Sequence, residues 1–264
     1  TFHNVYGGNS YFKKIYNKGL SKMDHLVAIS EYVKKKIVKK YNLSPNNISV
    51  INRGIDTEYF NQPLDAGTRD NIIKTHQIDT AKKIILFPAR MTNWKGQLEF
   101  FHTIKTMDLQ NILILFAGDT KNESYTKLVR DAIKQNNLTS TFKILGSLNQ
   151  DEMRVLYQLA DLSVSFPWRG EGFGRTVSES LYSNTPVLAF DYGGVKNQLE
   201  NLSHMFKIKP QDYQDLPIKI EKLLSLPEDQ KKEALQDSKL EIESNFSKIN
   251  MVNQYLKLYE SLKS

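Results

Sequence analysis

The sequence predicts an α/β fold built on a parallel sheet with helices on both faces. From residue 83 onward, short apolar runs alternate with segments of helical periodicity. The runs are apolar throughout, as in strands buried on both sides, and helix-length segments separate them. Strands are expected at Ile84–Pro88, Ile112–Ala117, Phe142–Leu145, Leu162–Phe166, Pro186–Phe190 and Met205–Ile208. This alternation is typical of a Rossmann-like, doubly wound sheet.

The helices expected around these strands follow from a periodicity near 3.6 residues. They cover Gln97–Met107, Glu123–Asn136, Gln150–Leu159, Thr176–Ser183, Tyr213–Leu226, Glu228–Ser244 and Lys248–Leu262. The last helix has apolar and aromatic residues on one face, namely Met251, Tyr255, Leu258, Tyr259 and Leu262. Packing on its own domain and crossing to another domain both fit this pattern.

The first 53 residues show the same alternation but are too short to enclose a core. The expected elements are a turn at Gly7-Gly8, a helix near Ser10–Leu20, a strand at Leu26–Ile29, a helix at Glu31–Tyr41 capped by Ser30, and a strand at Ile48–Ile51. Residues 54–80 are rich in Asn, Asp, Gly and Thr, so we expect a linker with a short helix near Thr68–His76.

The composition is that of an ordinary globular protein. The chain has 264 residues, of which 40% are apolar and 25% are charged, enough for one large domain or two. No apolar run approaches the roughly 20 residues that span a bilayer, and the first residues do not resemble a secretory leader. The absence of cysteine excludes disulfides and thiolate metal sites. We therefore expect a cytoplasmic location.

Positive charge is concentrated near the start of the chain. Residues 1–53 hold nine lysines and one arginine against two acidic residues, a net charge of +8, whereas the whole chain carries +7. A solvated helix face is the ordinary interpretation of the densest part, Lys34–Lys40. The alternative is that the basic segment 13–40 lies against anionic lipid or an anionic acceptor. Nucleic acid is not an expected partner, because no nucleic-acid-binding pattern is present.

The segment 167–190 is the part of the sequence that predicts a site. A turn rich in glycine surrounds Glu171, and the helix that begins near Arg175 carries Glu179. A glycine loop between a strand and a helix leaves unpaired N–H groups at the helix N-terminus, where anions bind. Ionised carboxylates only accept hydrogen bonds, so the two glutamates suit sugar hydroxyls. The segment therefore predicts a ligand with both phosphate and sugar.

Glu171 and Glu179, with seven residues between them in the frame Glu-Gly-Phe-Gly, resemble the E-x7-E signature of the retaining glycosyltransferases of family 4 (group 1), which have the GT-B fold. Arg90, Lys95 and Gly96 are similar to the R-x4-K-G motif of that family. Further similarities are T-x-H at Thr1–His3, the strand end Ala28–Glu31 and the segment Val50–Asp56.

The resemblance implies a domain organisation. Residues 1–53 would be the C-terminal remnant of an acceptor-binding N-terminal domain, and residues 54–80 the linker. Residues 81–247 would form the complete nucleotide-sugar-binding domain. The helix at 248–264 would cross back to the N-terminal domain. About a hundred residues of a full enzyme would then precede this chain, and we expect the fragment alone to be inactive.

The resemblance also implies roles for individual residues. The expected catalytic residues are Glu171, which touches the donor sugar, Arg90 and Lys95, which hold the phosphates, and His3, which lies near sugar and acceptor. The expected donor-binding residues are Gly172, Phe173, Gly174, Arg175 and Thr176 around the phosphates, Glu179 at the ribose, and Gly118, Asp119 and Ile144 beside the base.

The implied function is metal-independent, retaining transfer of a hexose from a UDP- or GDP-sugar to a glycan or lipid-linked acceptor, as in lipopolysaccharide biosynthesis, at the inner face of the membrane. No cofactor or metal is expected, because Asp-x-Asp is absent and the five histidines lack ligand spacing. The alternatives are a non-catalytic nucleotide-sugar-binding module and a nucleotide-sugar epimerase. A dehydrogenase is disfavoured, because no strand precedes G-x-G-x-x-G.

Overall fold

The computed structural model describes residues 1–4, 15, 19, 22–200, 202 and 206–263. The expected turn at Gly7-Gly8, most of the expected helix near Ser10–Leu20 and the start of the last expected strand, Met205, lie outside the described residues. Strands and helices are numbered below in chain order from residue 26.

The first part of the chain forms a small parallel sheet. Its strands are β1 (Leu26–Ala28) and β2 (Ile48–Val50), joined through helix α1 (Glu31–Tyr41) and a 3₁₀ turn at Pro45–Asn47. Ser30 caps α1 by accepting a hydrogen bond from the N–H of Val33 at 3.2 Å. The side chains of α1 that face this sheet are buried, so the segment has an apolar interior of its own.

The main sheet has six parallel strands: β3 (Lys83–Pro88), β4 (Ile112–Ala117), β5 (Phe142–Gly146), β6 (Leu162–Ser165), β7 (Val187–Phe190) and β8 (Lys207–Ile208). Their order across the sheet is β5-β4-β3-β6-β7-β8. The chain therefore builds outward from β3 to one edge and then returns to the other side of β3 at β6. Ligands bind outside the carboxyl ends of such strands where this reversal occurs. The predicted α/β fold with a parallel sheet is confirmed.

The helices are α2 (Thr57–Asn61), α3 (Ala66–Thr75), α4 (Gln97–Ile104), α5 (Glu123–Gln135), α6 (Gln150–Leu159), α7 (Arg175–Tyr182), α8 (Gly194–Leu199), α9 (Leu216–Leu224), α10 (Glu228–Asn245) and α11 (Lys248–Ser261). Those that the sequence predicted agree to within a few residues. The short helix α8 was not among the expected helices. It begins at the second of two adjacent glycines, and its two apolar residues, Val195 and Leu199, are too few to show a helical periodicity.

The segment expected to be a linker is more structured than its composition indicates. Two helices occupy it, α2 and α3, and aspartates cap both: Asp56 accepts from the N–H of Tyr59 at 3.2 Å, and Asp65 accepts from the N–H of Thr68 at 2.8 Å. Each helix buries one apolar side chain, Phe60 in α2 and Ile72 in α3. Two polar residues of this segment therefore serve as caps of packed helices.

Phenylalanine rings form the core beneath the carboxyl ends of β3 and β6. The ring centroid of Phe87 lies 5.4 Å from that of Phe100 and 5.7 Å from that of Phe116. Phe166, at the end of β6, lies 5.7 Å from Phe100 and 5.0 Å from Phe190. Aromatic pairs at these separations contribute beyond the area they bury. The loop that follows Phe166 thus starts from a fixed position.

Helix α11 has no buried residue. Its start is fixed, because the N–H of Ile55 donates to Phe246 and the N–H of Lys248 donates to Ile55, each at 2.8 Å. Farther along, the hydroxyl of Tyr255 lies 3.1 Å from Oγ1 of Thr1. The helix therefore lies beside the first residues of the chain, and its crossing to a larger N-terminal domain stays a prediction.

Glu99 gives a pH-dependent stability prediction. Its Oε2 is buried without a hydrogen-bond partner in the described part of the chain, and burial raises the pKa of its carboxyl group. The folded protein therefore holds this proton more tightly than the unfolded chain does. The contribution of Glu99 to stability is present below the unfolded-state pKa and is lost as the pH rises through the folded-state pKa.

We expect Glu99→Gln to raise the free energy of unfolding by about 0.5–1 kcal/mol at pH 7, a small value because the residue is only partly buried. Near pH 4 we expect the difference to disappear. Urea unfolding at both pH values measures it, with the exposed Glu233→Gln as the control that changes nothing. An equal effect at both pH values would contradict this explanation.

Candidate functional site

The ends of β3 and β6 carry the two loops of the candidate site. A 3₁₀ turn at Asn93–Lys95 follows β3, and a glycine-rich loop follows β6 and leads into α7. Lys95 and Glu171 form a close ion pair between these loops. Their side chains are 13% and 14% exposed, so the pair is largely shielded from water, which strengthens its attraction. The two oppositely charged residues therefore sit in the crevice of the sheet reversal.

The loop after β3 is packed tightly on the loop after β6. The Lys95 ammonium lies 4.7 Å from the ring centroid of Trp94, and the N–H of Trp168 donates to the carbonyl of Trp94 at 2.8 Å. Gly96 has φ +86°, and a Cβ there would lie 2.5 Å from the carbonyl oxygen of Phe166. Only glycine allows this approach, so Lys95 is held against the second loop by its backbone as well as by its charge.

The four consecutive carbonyl groups from Glu171 to Gly174 all accept hydrogen bonds. The N–H of Gly194 donates to the carbonyl of Glu171 at 2.8 Å, and Oγ of Ser30 donates to that of Gly172 at 2.6 Å. Nε2 of Gln198 donates to the carbonyl of Phe173. The carbonyl of Gly174 accepts from Val177 at 3.0 Å within the first turn of α7.

The N–H groups of the same loop are in the opposite situation. From Gly170 to Thr176, none of them donates to an acceptor among the residues that the structure describes. Gly174 takes a left-handed conformation, φ +85°, and provides no side-chain cap for α7. The unpaired N–H groups and the positive end of the helix dipole together form an anion-binding nest. A Cβ on Gly174 would lie 3.7 Å from Oε2 of Glu171, so the nest and the ion pair share one place.

Glu179 is buried in α7, and both of its oxygens have partners. Tyr157 donates to Oε2 at 2.9 Å, and Nε of Arg175 forms a close ion pair with Oε1. Burial, together with the nearby Glu179 carboxylate, raises the pKa of Tyr157, so this hydroxyl stays a donor. Arg175 is half exposed and Thr176 is half-buried, both on the first turn of α7. The role of Glu179 at a ribose stays a prediction.

The residues expected beside the phosphates and base lie along the carboxyl edge of β3, β4 and β5. Arg90 is exposed and makes no ion pair within the described part of the chain. Gly118 packs against the turn after β3, because a Cβ there would lie 2.3 Å from the carbonyl oxygen of Ala89. Asp119 binds the N–H of Lys121 at 2.7 Å, and Ile144 lies in β5. The structure brings these residues to one edge.

His3 lies beside the glycine loop from the other side of the crevice. A Cβ on Gly172 would lie 2.2 Å from the carbonyl oxygen of His3. Partial burial and the charge of Arg53 lower the pKa of the His3 imidazole below its usual value. The imidazole is therefore neutral at pH 7 and can accept a proton. Its role near an acceptor stays a prediction.

The sequence did not indicate Tyr157, Gln198 or the contact of Ser30 with the glycine loop. Ser30 was expected only as a helix cap, and Tyr157 occupies an ordinary apolar position of a helix. Only Gln198 could have been noticed from the sequence. It is a polar residue in a short segment bounded by the apolar residues Val195 and Leu199, where a buried face is expected. No group of three or more His, Asp or Glu residues that could hold a metal ion occurs among the described residues.

Comparison with known families gives two matches. Residues 68–237 match the family "Glycosyl transferases group 1", and residues 1–59 match "Glycosyltransferase Family 4". O-antigen chain mannosyltransferase RfbU of Salmonella typhimurium is 25% identical over 238 residues, which are 86% of this chain and 61% of the relative. The uncharacterized glycosyltransferase MJ1607 of Methanocaldococcus jannaschii is 23% identical over 76% of this chain and 50% of its own length. The chain thus spans half to three fifths of these relatives.

Solved structures agree with these matches. A glycosyltransferase from Rickettsia africae superimposes with a TM-score of 0.87 and 28% identity, over 100% of this chain and 70% of that chain. Anabaena HepE in complex with UDP and glucose gives a TM-score of 0.81 and 18% identity, over 96% of this chain and 68% of that one. The second comparison concerns the fold alone.

Proposed function

Since this chain belongs to the group 1 glycosyl transferases and has the GT-B fold, we propose that it binds a nucleoside diphosphate sugar in the crevice between β3 and β6. The complete protein would transfer that sugar to an acceptor hydroxyl. The observation that carries the proposal is the Lys95–Glu171 ion pair beside the anion-binding nest. One cation, one carboxylate and a set of free N–H groups meet there, which suits a ligand with phosphates and a sugar.

Each part of the crevice has a share in the proposed chemistry. The bond between the anomeric carbon of the sugar and the diphosphate breaks, and the diphosphate keeps the electron pair. An acceptor hydroxyl oxygen forms the new bond to that carbon, and its proton passes to a phosphate oxygen. Lys95 and the N–H groups of the nest stabilise the charge that grows on the diphosphate. Glu171 accepts hydrogen bonds from the sugar hydroxyls.

The finer features of the proposal rest on the family and on single relatives. We propose a retaining, metal-independent reaction because the paired glutamates, Arg90 and Lys95 match the motifs of retaining enzymes. A UDP-sugar is favoured as donor because HepE, which has the same fold, binds UDP and glucose, and a GDP-sugar is the alternative. The likeness to an O-antigen chain mannosyltransferase favours a glycan or lipid-linked acceptor, as in lipopolysaccharide synthesis.

The first prediction concerns nucleotide binding. Calorimetry with UDP and GDP should give binding by the chain, unchanged by a chelator. Lys95→Met should weaken binding at least about tenfold, because it removes a shielded cation from the phosphates. Lys232→Met, at an exposed lysine, is the matched control and should bind like the wild type. If neither UDP nor GDP nor another nucleoside diphosphate binds, the proposed function is wrong.

The second prediction concerns Glu171. Its carboxylate neutralises Lys95 and lies beside the nest, so Glu171→Gln should bind UDP several-fold more tightly, on the order of threefold to tenfold. The advantage of UDP-glucose over UDP should shrink, because the acceptor of the sugar hydroxyls is weakened. Calorimetry with both ligands measures the two effects, with exposed Glu123→Gln as control. Weaker binding of UDP would contradict this role. The alternative non-catalytic module expects Glu171→Gln to leave transfer by the complete protein unchanged.

The third prediction concerns a membrane surface. No helix among the described residues could cross a bilayer, but α1 exposes lysines at Lys35 and Lys39. If α1 meets anionic lipid, replacing both lysines with serine should lower the partition onto phosphatidylserine vesicles about 30-fold, since each lysine near such a surface contributes about 1 kcal/mol. Replacing the exposed Lys127 and Lys232 with serine should leave that partition unchanged. If both double variants lose partition equally, or if the wild type does not bind the vesicles, α1 is a solvated helix face and not a lipid-binding one.

A further inference from the structure

Gln198 is a fully buried amide next to the nest and outside the family motifs. A buried amide costs free energy unless its donors and acceptor are paired. Here Oε1 accepts from Oγ of Ser178 at 2.5 Å, and Nε2 donates to the carbonyl of Phe173 and lies 3.4 Å from that of Gly174. Ser178 is also fully buried. The orientation of the amide is fixed, because the reverse orientation would place Oε1 against the carbonyl of Phe173.

The hydrogen bonds of Gln198 determine where the neighbouring N–H groups point. In a trans peptide the C=O and the following N–H point in opposite directions. Because the carbonyl of Phe173 is turned toward Gln198, the N–H of Gly174 is turned away from it. The same holds for the carbonyl of Gly174 and the N–H of Arg175. These two N–H groups are among those that have no acceptor in the described part of the chain.

Glycine gives this segment the freedom that Gln198 removes. Gly172 and Gly174 accept backbone conformations that other residues avoid, so the peptide planes of the loop could turn over without a large steric cost. Packing alone does not decide which way a carbonyl points, but a donor fixed in the buried interior does. Ser30 acts in the same sense on the other side, where it binds the carbonyl of Gly172.

We propose that Gln198 is a positioning residue for diphosphate binding, which holds the loop carbonyls inward and thereby aims the N–H groups of Gly174 and Arg175 at the phosphates. The inference rests on the proposed function, because it needs the nest to bind a nucleoside diphosphate. Gln198 does not itself touch the ligand. Loss of Gln198 should therefore weaken the binding of a ligand that carries phosphates and leave the affinity for the nucleoside unchanged.

The test compares Gln198→Met with the wild-type chain. Methionine keeps the length and volume of the side chain but cannot donate to the carbonyl of Phe173. We expect the dissociation constant for UDP to rise about tenfold, while that for uridine stays the same. Calorimetry measures UDP, and ligand-observed NMR measures uridine. Ser178→Ala is the matched control, since it removes the other end of the same network and keeps the bond to the loop, so it should bind UDP nearly as the wild type does.

The outcomes separate this inference from the proposed function. Two outcomes would overturn the role of Gln198 alone, provided that the wild type binds UDP. In one, Gln198→Met binds UDP as tightly as the wild type does. In the other, it loses affinity for UDP and for uridine equally. Failure of the wild type to bind any nucleoside diphosphate would overturn both. If Gln198→Met does not fold, Gln198→Leu decides the question, because it also removes the donor to the carbonyl of Phe173 and should cause the same phosphate-dependent loss.

Discussion

The ion pair of Lys95 and Glu171 connects the two halves of the main sheet at the point where its strand order reverses. Both residues are largely shielded from water, so each would be costly to bury without the other. An anion that enters the crevice competes with Glu171 for Lys95, whereas a sugar hydroxyl competes with Lys95 for Glu171. A ligand that offers both groups at once can satisfy both charges. Under the proposed function, the pair would favour a molecule in which phosphate and sugar are adjacent.

The small sheet at the start of the chain contributes to this crevice. Ser30 caps α1 and also donates to the carbonyl of Gly172, so one hydroxyl joins the two sheets. The carbonyl of His3 packs on the same glycine, and the ring of Tyr32 occupies the space that a side chain on Gly170 would need. The lack of a side chain at these glycines therefore allows the first part of the chain to pack closely on the glycine loop. The glycine loop is held from both sides, which fits a site shared between two domains.

Much of the fold and the location of the site could be predicted from the sequence. Apolar runs and single helices identified all six strands of the main sheet within a few residues. The E-x7-E frame led to a family that is now confirmed. In the linker, the expected helix near Thr68–His76 is found as α3 (Ala66–Thr75). Helix α2 could not be predicted, because Asp56 looks like a loop residue unless its capping contact is known. Gln198 and Tyr157 could not be assigned, because their importance lies in which distant carbonyl or carboxylate they meet.

A second carboxylate so close to an anion-binding nest presents an electrostatic difficulty, and the first turn of α7 resolves it. Glu179 lies one turn inside the helix whose N-terminus forms the nest, so its charge would repel a diphosphate. Arg175 pairs with one oxygen of Glu179, and Tyr157 donates to the other. Arg175 is half exposed on the first turn of α7, and its guanidinium offsets the negative charge of Glu179 there. Under the proposed function, the carboxylate can thus keep lone pairs for a hydroxyl ligand without repelling a diphosphate in the nest.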